Sequence, residues 1–163
     1  MRASFPSSGS RELATAEQTQ TFGEELGRAL EPGDVVILDG PLGAGKTTFT
    51  QGIARGLQVK GRVTSPTFVI AREHRSTVGG PALIHVDAYR LLGEGSSGDP
   101  LGELDALDLD TELSAAVVVA EWGGGLVEQI AEDYLLVKVD RETAVLRDPE
   151  SEARIFSWEL VEA

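Results

Sequence analysis

The chain has 163 residues, 41% of them hydrophobic, enough for one well-buried core but hardly two, which predicts a single domain. Its 27 Asp and Glu outnumber 14 Lys and Arg, and the resulting net charge of −13 repels phosphate backbones; this argues against tight, direct nucleic-acid binding and leaves RNA only an indirect place, through a partner protein. There are no cysteines, hence no disulfide and no thiolate metal site, and the apolar runs are strand-sized, too short for a secretory signal or a membrane span, so a cytoplasmic location with no membrane partner is expected.

In chain order, residues 1–10 are rich in Ser, with Pro6 and Gly9, and read as a disordered leader to a domain spanning 11–163. Thr15-Ala16-Glu17-Gln18 fits a capping box, and Phe22, Leu26, Ala29 and Leu30 mark one face of the helix that follows. Pro32-Gly33-Asp34 is a turn, and Val35-Val36-Ile37-Leu38 a short strand. Phe49, Ile53, Ala54 and Leu57 recur at helical spacing until Gly56 and Gly61 break the pattern. Thr64 to Arg72 is rich in β-branched residues and predicts an extended segment, which Pro66 keeps out of a helix interior; Ala82 to Val86 predicts an antiparallel partner across a turn at Arg75 to Pro81.

Gly93 to Pro100 has the composition of a flexible loop, and Leu101, Leu104, Leu107 and Leu109 among acidic residues predict a short helix and turn. Ala115 to Ala120 is a nearly continuous apolar run, as a strand covered on both faces requires. Tyr134 to Val139, Thr143 to Leu146 and Arg154 to Leu160 read as the last strands. With Gly45-Lys46-Thr47 closing a glycine-rich phosphate-binding pattern that begins at Gly40, the expected fold is an α/β three-layer sandwich of the P-loop NTPase kind, with a mixed, partly parallel sheet and an antiparallel C-terminal edge.

Between the strand ending at Leu38 and the helix of Phe49 lies Gly40-Pro41-Leu42-Gly43-Ala44-Gly45-Lys46-Thr47-Thr48, a complete phosphate-binding loop of the form G-x-x-x-x-G-K-[ST] in the strand–loop–helix order it requires. Backbone N–H groups of Gly40, Leu42, Gly43, Ala44, Gly45, Lys46, Thr47 and Thr48 are expected to cradle phosphates, because glycine lets the backbone approach where a side chain would block it. Lys46 reaches β- and γ-phosphate oxygens, the Thr47 hydroxyl serves Mg2+, and the helix N-terminus adds its positive dipole.

Such a loop needs acids to hold Mg2+ and orient water. Glu121 ends the run Ala116 to Ala120, and Asp87 ends Leu83-Ile84-His85-Val86; both fall at strand C-termini, where open α/β sheets bind ligands. Thr64-Ser65-Pro66-Thr67 offers three hydroxyls that suit either a γ-phosphate sensor or a plain turn, and Arg90 either pairs with Asp87 or meets phosphate. His85 shares a sheet face with Asp87 and reads first as a satisfied core histidine, as Trp122 reads as a packing anchor and the acids from Glu103 to Glu112 as a solvated face. The chain contains no asparagine, so the Asn-Lys-x-Asp segment that reads guanine is absent and ATP is favoured. A P-loop small-molecule kinase and a non-hydrolysing nucleotide switch are the alternatives; an Arg-rich kinase lid does not stand out.

The loop, then Ser65-Pro66-Thr67-Phe68, His85-Val86-Asp87-Ala88-Tyr89-Arg90-Leu91 and Glu121-Trp122, resemble in order and spacing the TsaE (YjeE) family, over roughly residues 12 to 140. Pro41 stands where the family often has Asp, Gly123 where a proline commonly follows the tryptophan, and Gly93 to Pro100 looks like an insertion. The resemblance implies a Mg2+-dependent ATPase acting with TsaB and TsaD in threonylcarbamoyladenosine modification of tRNA beside the anticodon, with TsaC making the activated intermediate. It further implies that Lys46 and Thr47 hold phosphates and Mg2+, that Glu121 is the second Mg2+ ligand, and that Asp87 is the catalytic acid. Ser65-Pro66-Thr67 would be one switch and the segment around Asp87 the other.

Overall fold

The computed structural model describes residues 1, 5–40, 45–61, 63, 71–87, 115–121, 133–151 and 153–162. In chain order these form β1 (Ser8–Leu13), α1 (Ala16–Ala29), β2 (Val35–Asp39), α2 (Lys46–Leu57), β3 (Ala71–His74), β4 (Ala82–Asp87), β5 (Ala116–Glu121), β6 (Tyr134–Asp140), α3 (Glu142–Arg147) and β7 (Arg154–Val161). The strands make one sheet in the order β1-β7-β6-β2-β5-β4-β3. β6, β2, β5 and β4 run parallel, while β7 with β1 on one side and β3 on the other add antiparallel edges. The mixed sheet expected from the sequence is therefore present, with an antiparallel edge at both ends.

Alternation along the strands sorts the core into two faces. Val36, Leu38, Leu83, Val117, Val119, Leu135, Val137 and Phe156 face α1 and α2, packing with Phe22, Leu26, Phe49 and Ile53. Ile37, Ala82, Ile84, Val86, Ala116, Val118 and Ala120 are buried on the opposite face. β5 is buried at every position from Ala116 to Ala120, which explains its unbroken apolar run.

α1 starts as predicted: the Thr15 side chain accepts from the Gln18 N–H at 3.2 Å. Gln18 answers one residue earlier than a standard capping box, its Oε1 accepting from the Ala14 N–H at 2.7 Å. α1 and α2 meet backbone to backbone at four glycines. A Cβ on Gly23, Gly27, Gly52 or Gly56 would stand 2.3, 2.4, 2.1 or 2.4 Å from a carbonyl oxygen of the facing helix. Gly56, expected to break the helix, thus lies within it and permits the crossing; α2 ends at Gln58 in the left-handed region instead.

Two further expectations give way. Residues 5–10 do not form a disordered leader. Ser8–Leu13 pairs with β7, and Phe5 is buried against Phe22 and Trp158. Gly9 opposes Trp158 in register, and the indole lies where a Cβ would be, 2.6 Å away, while its N–H donates to the Pro6 carbonyl at 3.0 Å. Thr143–Leu146 is not a strand but part of α3: Asp140 accepts from the Thr143 N–H and hydroxyl, starting a helical turn that leaves Leu146 exposed. The loop, helix and turn expected between Gly93 and Leu109 lie outside the described residues, as does the segment from Thr64 to Ile70.

Candidate functional site

The parallel centre of the sheet brings three chain-distant elements to one edge. The loop leaves β2 after Asp39 and enters α2 at Lys46, beside the C-terminal end of β5. Leu38 pairs with Glu121 across β2 and β5, and Asp87 pairs with the same Glu121 across β4 and β5. Both acids predicted from strand-end position thus stand next to each other in register at the mouth of the loop.

The entry to α2 suits an anion. Gly45, the N-cap, has φ of 102°, a conformation L side chains rarely adopt, and supplies no side-chain cap. The first helical bond runs from the Phe49 N–H to the Gly45 carbonyl at 2.9 Å, so the N–H groups of Lys46, Thr47 and Thr48 have no partner within the helix. Lys46, Thr47 and Thr48 are half-buried, and Thr50 locks the first turn by donating to the Lys46 carbonyl at 2.8 Å. Pro41 to Ala44, including predicted Leu42, Gly43 and Ala44, lie outside the described residues; Gly40 directly follows β2.

The side chains of Thr47 and Glu121 meet. The Thr47 hydroxyl donates to Glu121 Oε1 at 3.5 Å across 74 residues of sequence. These are hard oxygen donors of the kind Mg2+ takes, and their chemistry fits that ion. Among the described residues no group of three or more His, Cys, Asp or Glu converges on a metal site.

His85 completes the constellation. Its Nε2 lies 3.1 Å from the same Glu121 Oε1, and the ring is fully buried on β4. In the sequence it reads first as a satisfied core histidine, and its i, i+2 spacing to Asp87 is the signal that places it at this site. Gln20 on α1 donates to Gln51 on α2 at 3.0 Å, and Gln51 donates to the Val63 carbonyl at 3.0 Å, tying the approach to the Thr64–Thr67 segment to both helices. Thr64 to Thr67, Arg90, Trp122 and the acids from Glu103 to Glu112 fall outside the described residues.

The family model described as "Threonylcarbamoyl adenosine biosynthesis protein TsaE" matches residues 13–148. The chain is 49% identical over 158 residues to the tRNA threonylcarbamoyladenosine biosynthesis protein TsaE of Mycobacterium bovis, spanning 96% of this chain and 90% of that one. It is 55% identical over 120 residues to the protein of the same name from Streptomyces coelicolor, covering 74% and 77% of the two chains. The crystal structure of YdiB from Bacillus subtilis superposes with a TM-score of 0.68 at 27% identity, over 96% of this chain and 86% of YdiB.

Proposed function

Because this chain belongs to the TsaE family, and so to tRNA threonylcarbamoyladenosine biosynthesis, we propose that it is a Mg2+-dependent ATPase. The observation that carries this reading is the contact of Glu121 with Thr47 at the N-terminus of α2, an acid–hydroxyl pair where a phosphate loop enters its helix. In this reading the backbone from Gly40 to Thr48 and the Lys46 ammonium hold the phosphates, with Thr47 and Glu121 supplying the oxygens for Mg2+. Bound Mg2+ would neutralise charge on the transferring phosphoryl group. Asp87, beside Glu121 in register, orients the attacking water. The absence of asparagine favours adenine over guanine. The ATPase domain, first read as 11–163, would take in β1 and Phe5 as well.

The partners follow from the pathway. We infer that the protein acts with TsaB and TsaD, downstream of TsaC, and meets tRNA only through them. The sequence offers no evident arginine finger, so hydrolysis alone should be slow; a group supplied in trans is worth about 10³ to 10⁵ in rate. Multiple-turnover threonylcarbamoylation of tRNA by purified TsaB, TsaC and TsaD, with this protein added or omitted, tests the reading. Product should stall near one turnover without the protein and continue with it, and Lys46→Ala or Glu121→Ala should behave as omission while giving a folded domain by circular dichroism. Equal product in all reactions refutes the proposed role.

A further inference from the structure

We propose that His85 is a positioning residue for Glu121, fixing its carboxylate beside Thr47 so that it is set to receive Mg2+. The inference rests on the reading of Glu121 as a Mg2+ ligand. His85 lies on the helix-facing side of β4, in register with Val119, two residues before Glu121 on β5. Its ring is fully buried, yet among the described residues its Nδ1 has no hydrogen-bond partner. A leucine there would pack beside Leu83 and Val119 and leave no buried polar atom unpaired, so the imidazole is not explained by stability. What it gains is the bond to Glu121 at 3.1 Å. With Nδ1 unpartnered, the proton belongs on Nε2, which donates to Glu121 Oε1.

Two donors converge on that oxygen, and they are not equivalent. The Thr47 hydroxyl sits at 3.5 Å, a weak contact, and in the proposed mechanism is itself required by the metal. Metal binding would use an oxygen lone pair and leave the O–H free to donate, but at 3.5 Å that bond is a weak anchor for the carboxylate. Among the described residues His85 has no competing partner, and it reaches Glu121 from β4, a strand paired on both sides, with β5 and β3. Hydrogen bonds from such outer groups fix the orientation of metal-binding side chains, and their loss costs about 10- to 100-fold in metal affinity or activity.

Calorimetric titration of ADP, in EDTA and over a series of Mg2+ concentrations, tests this with the full-length protein. His85→Leu should bind ADP as wild type does in EDTA, but need about 10- to 100-fold more Mg2+ for its metal-dependent gain in affinity. His85→Gln, whose amide nitrogen can donate in place of Nε2, should recover most of the difference. In a Glu121→Ala background, His85→Leu should cause no further shift. A folded His85→Leu with the wild-type Mg2+ midpoint overturns the inference, as does the same shift without Glu121, which would mark a packing effect. If His85→Leu does not fold, His85→Met against His85→Gln makes the same comparison. ADP binding by wild type that ignores Mg2+ would overturn the metal reading itself, and the positioning role with it.

Discussion

Both histidines of the chain are buried, and among the described residues each leaves one ring nitrogen without a partner. His74 donates from Nδ1 to the Lys60 carbonyl at 3.2 Å, and its Nε2 is the unpaired atom. Charging the ring would bury an unmatched N–H. Burial accordingly lowers the His74 pKa from its ordinary 6.5, with the Lys60 carbonyl opposing. The unfolded chain therefore binds this proton first as pH falls. The contribution of His74 to stability is complete above pH 6.5 and is lost as pH drops below that value through the folded pKa. Urea unfolding at about pH 7.5 and about pH 5.5 should show a loss on acidification that His74→Gln, which does not titrate, reduces. Equal pH dependence in the two proteins would mean that other groups carry it.

The α1–α2 crossing shows how an element can invert the usual effect of a substitution. Alanine for glycine in a helix interior ordinarily stabilises by about 1 kcal/mol. At Gly52 the added methyl would meet the Gln20 carbonyl oxygen at 2.1 Å, and neither backbone can yield without separating the helices. Overpacking of this kind costs about 1–3 kcal/mol or more, so Gly52→Ala is expected to cancel the usual gain and lower stability by up to about 2 kcal/mol net. Gly80→Ala, which meets only Ser76 Oγ at 3.6 Å, should change it by less than about 0.5 kcal/mol. Equal urea midpoints for the two variants would show that the helices do not cross this closely. α2 carries the loop lysine and threonine on its first turn, so a shifted crossing should also weaken ADP binding.

Over the whole molecule, an aromatic cluster joins the chain's beginning to its end. Phe22 lies within 6.0 Å, centroid to centroid, of Phe5, Phe49, Phe156 and Trp158, linking the segment before β1 to both large helices and β7. Phe5→Ala should therefore cost about 3 kcal/mol or more in urea unfolding, the scale of a buried phenylalanine; a change near zero would restore the disordered leader. The net charge of −13 belongs to this scale too. It repels tRNA as a whole, which is why the proposed role routes tRNA through partner proteins.

Local chemistry determined much of this protein. The start of a helix just after Gly45, the Thr15 cap, the helical spacing from Phe49 to Leu57 and the double-sided burial of Ala116 to Ala120 were all legible, because each is set by neighbours within a few residues. The strand-end position of Asp87 and Glu121 was legible as well, since alternation and an acid after an apolar run need no partner to be recognised. Tertiary structure decided the rest. Residues 8–13 become a strand only because β7 supplies hydrogen bonds and Trp158 needs the bare backbone of Gly9. Gly56, which reads as a helix breaker, marks with Gly23, Gly27 and Gly52 a contact between two helices, which depends on both at once. Thr143–Leu146 turns helical where Asp140 accepts from the Thr143 N–H and hydroxyl in the first turn, against the strand expected from its composition. The bond from His85 to Glu121 joins positions 36 residues apart on neighbouring strands, and only strand order and register could reveal it.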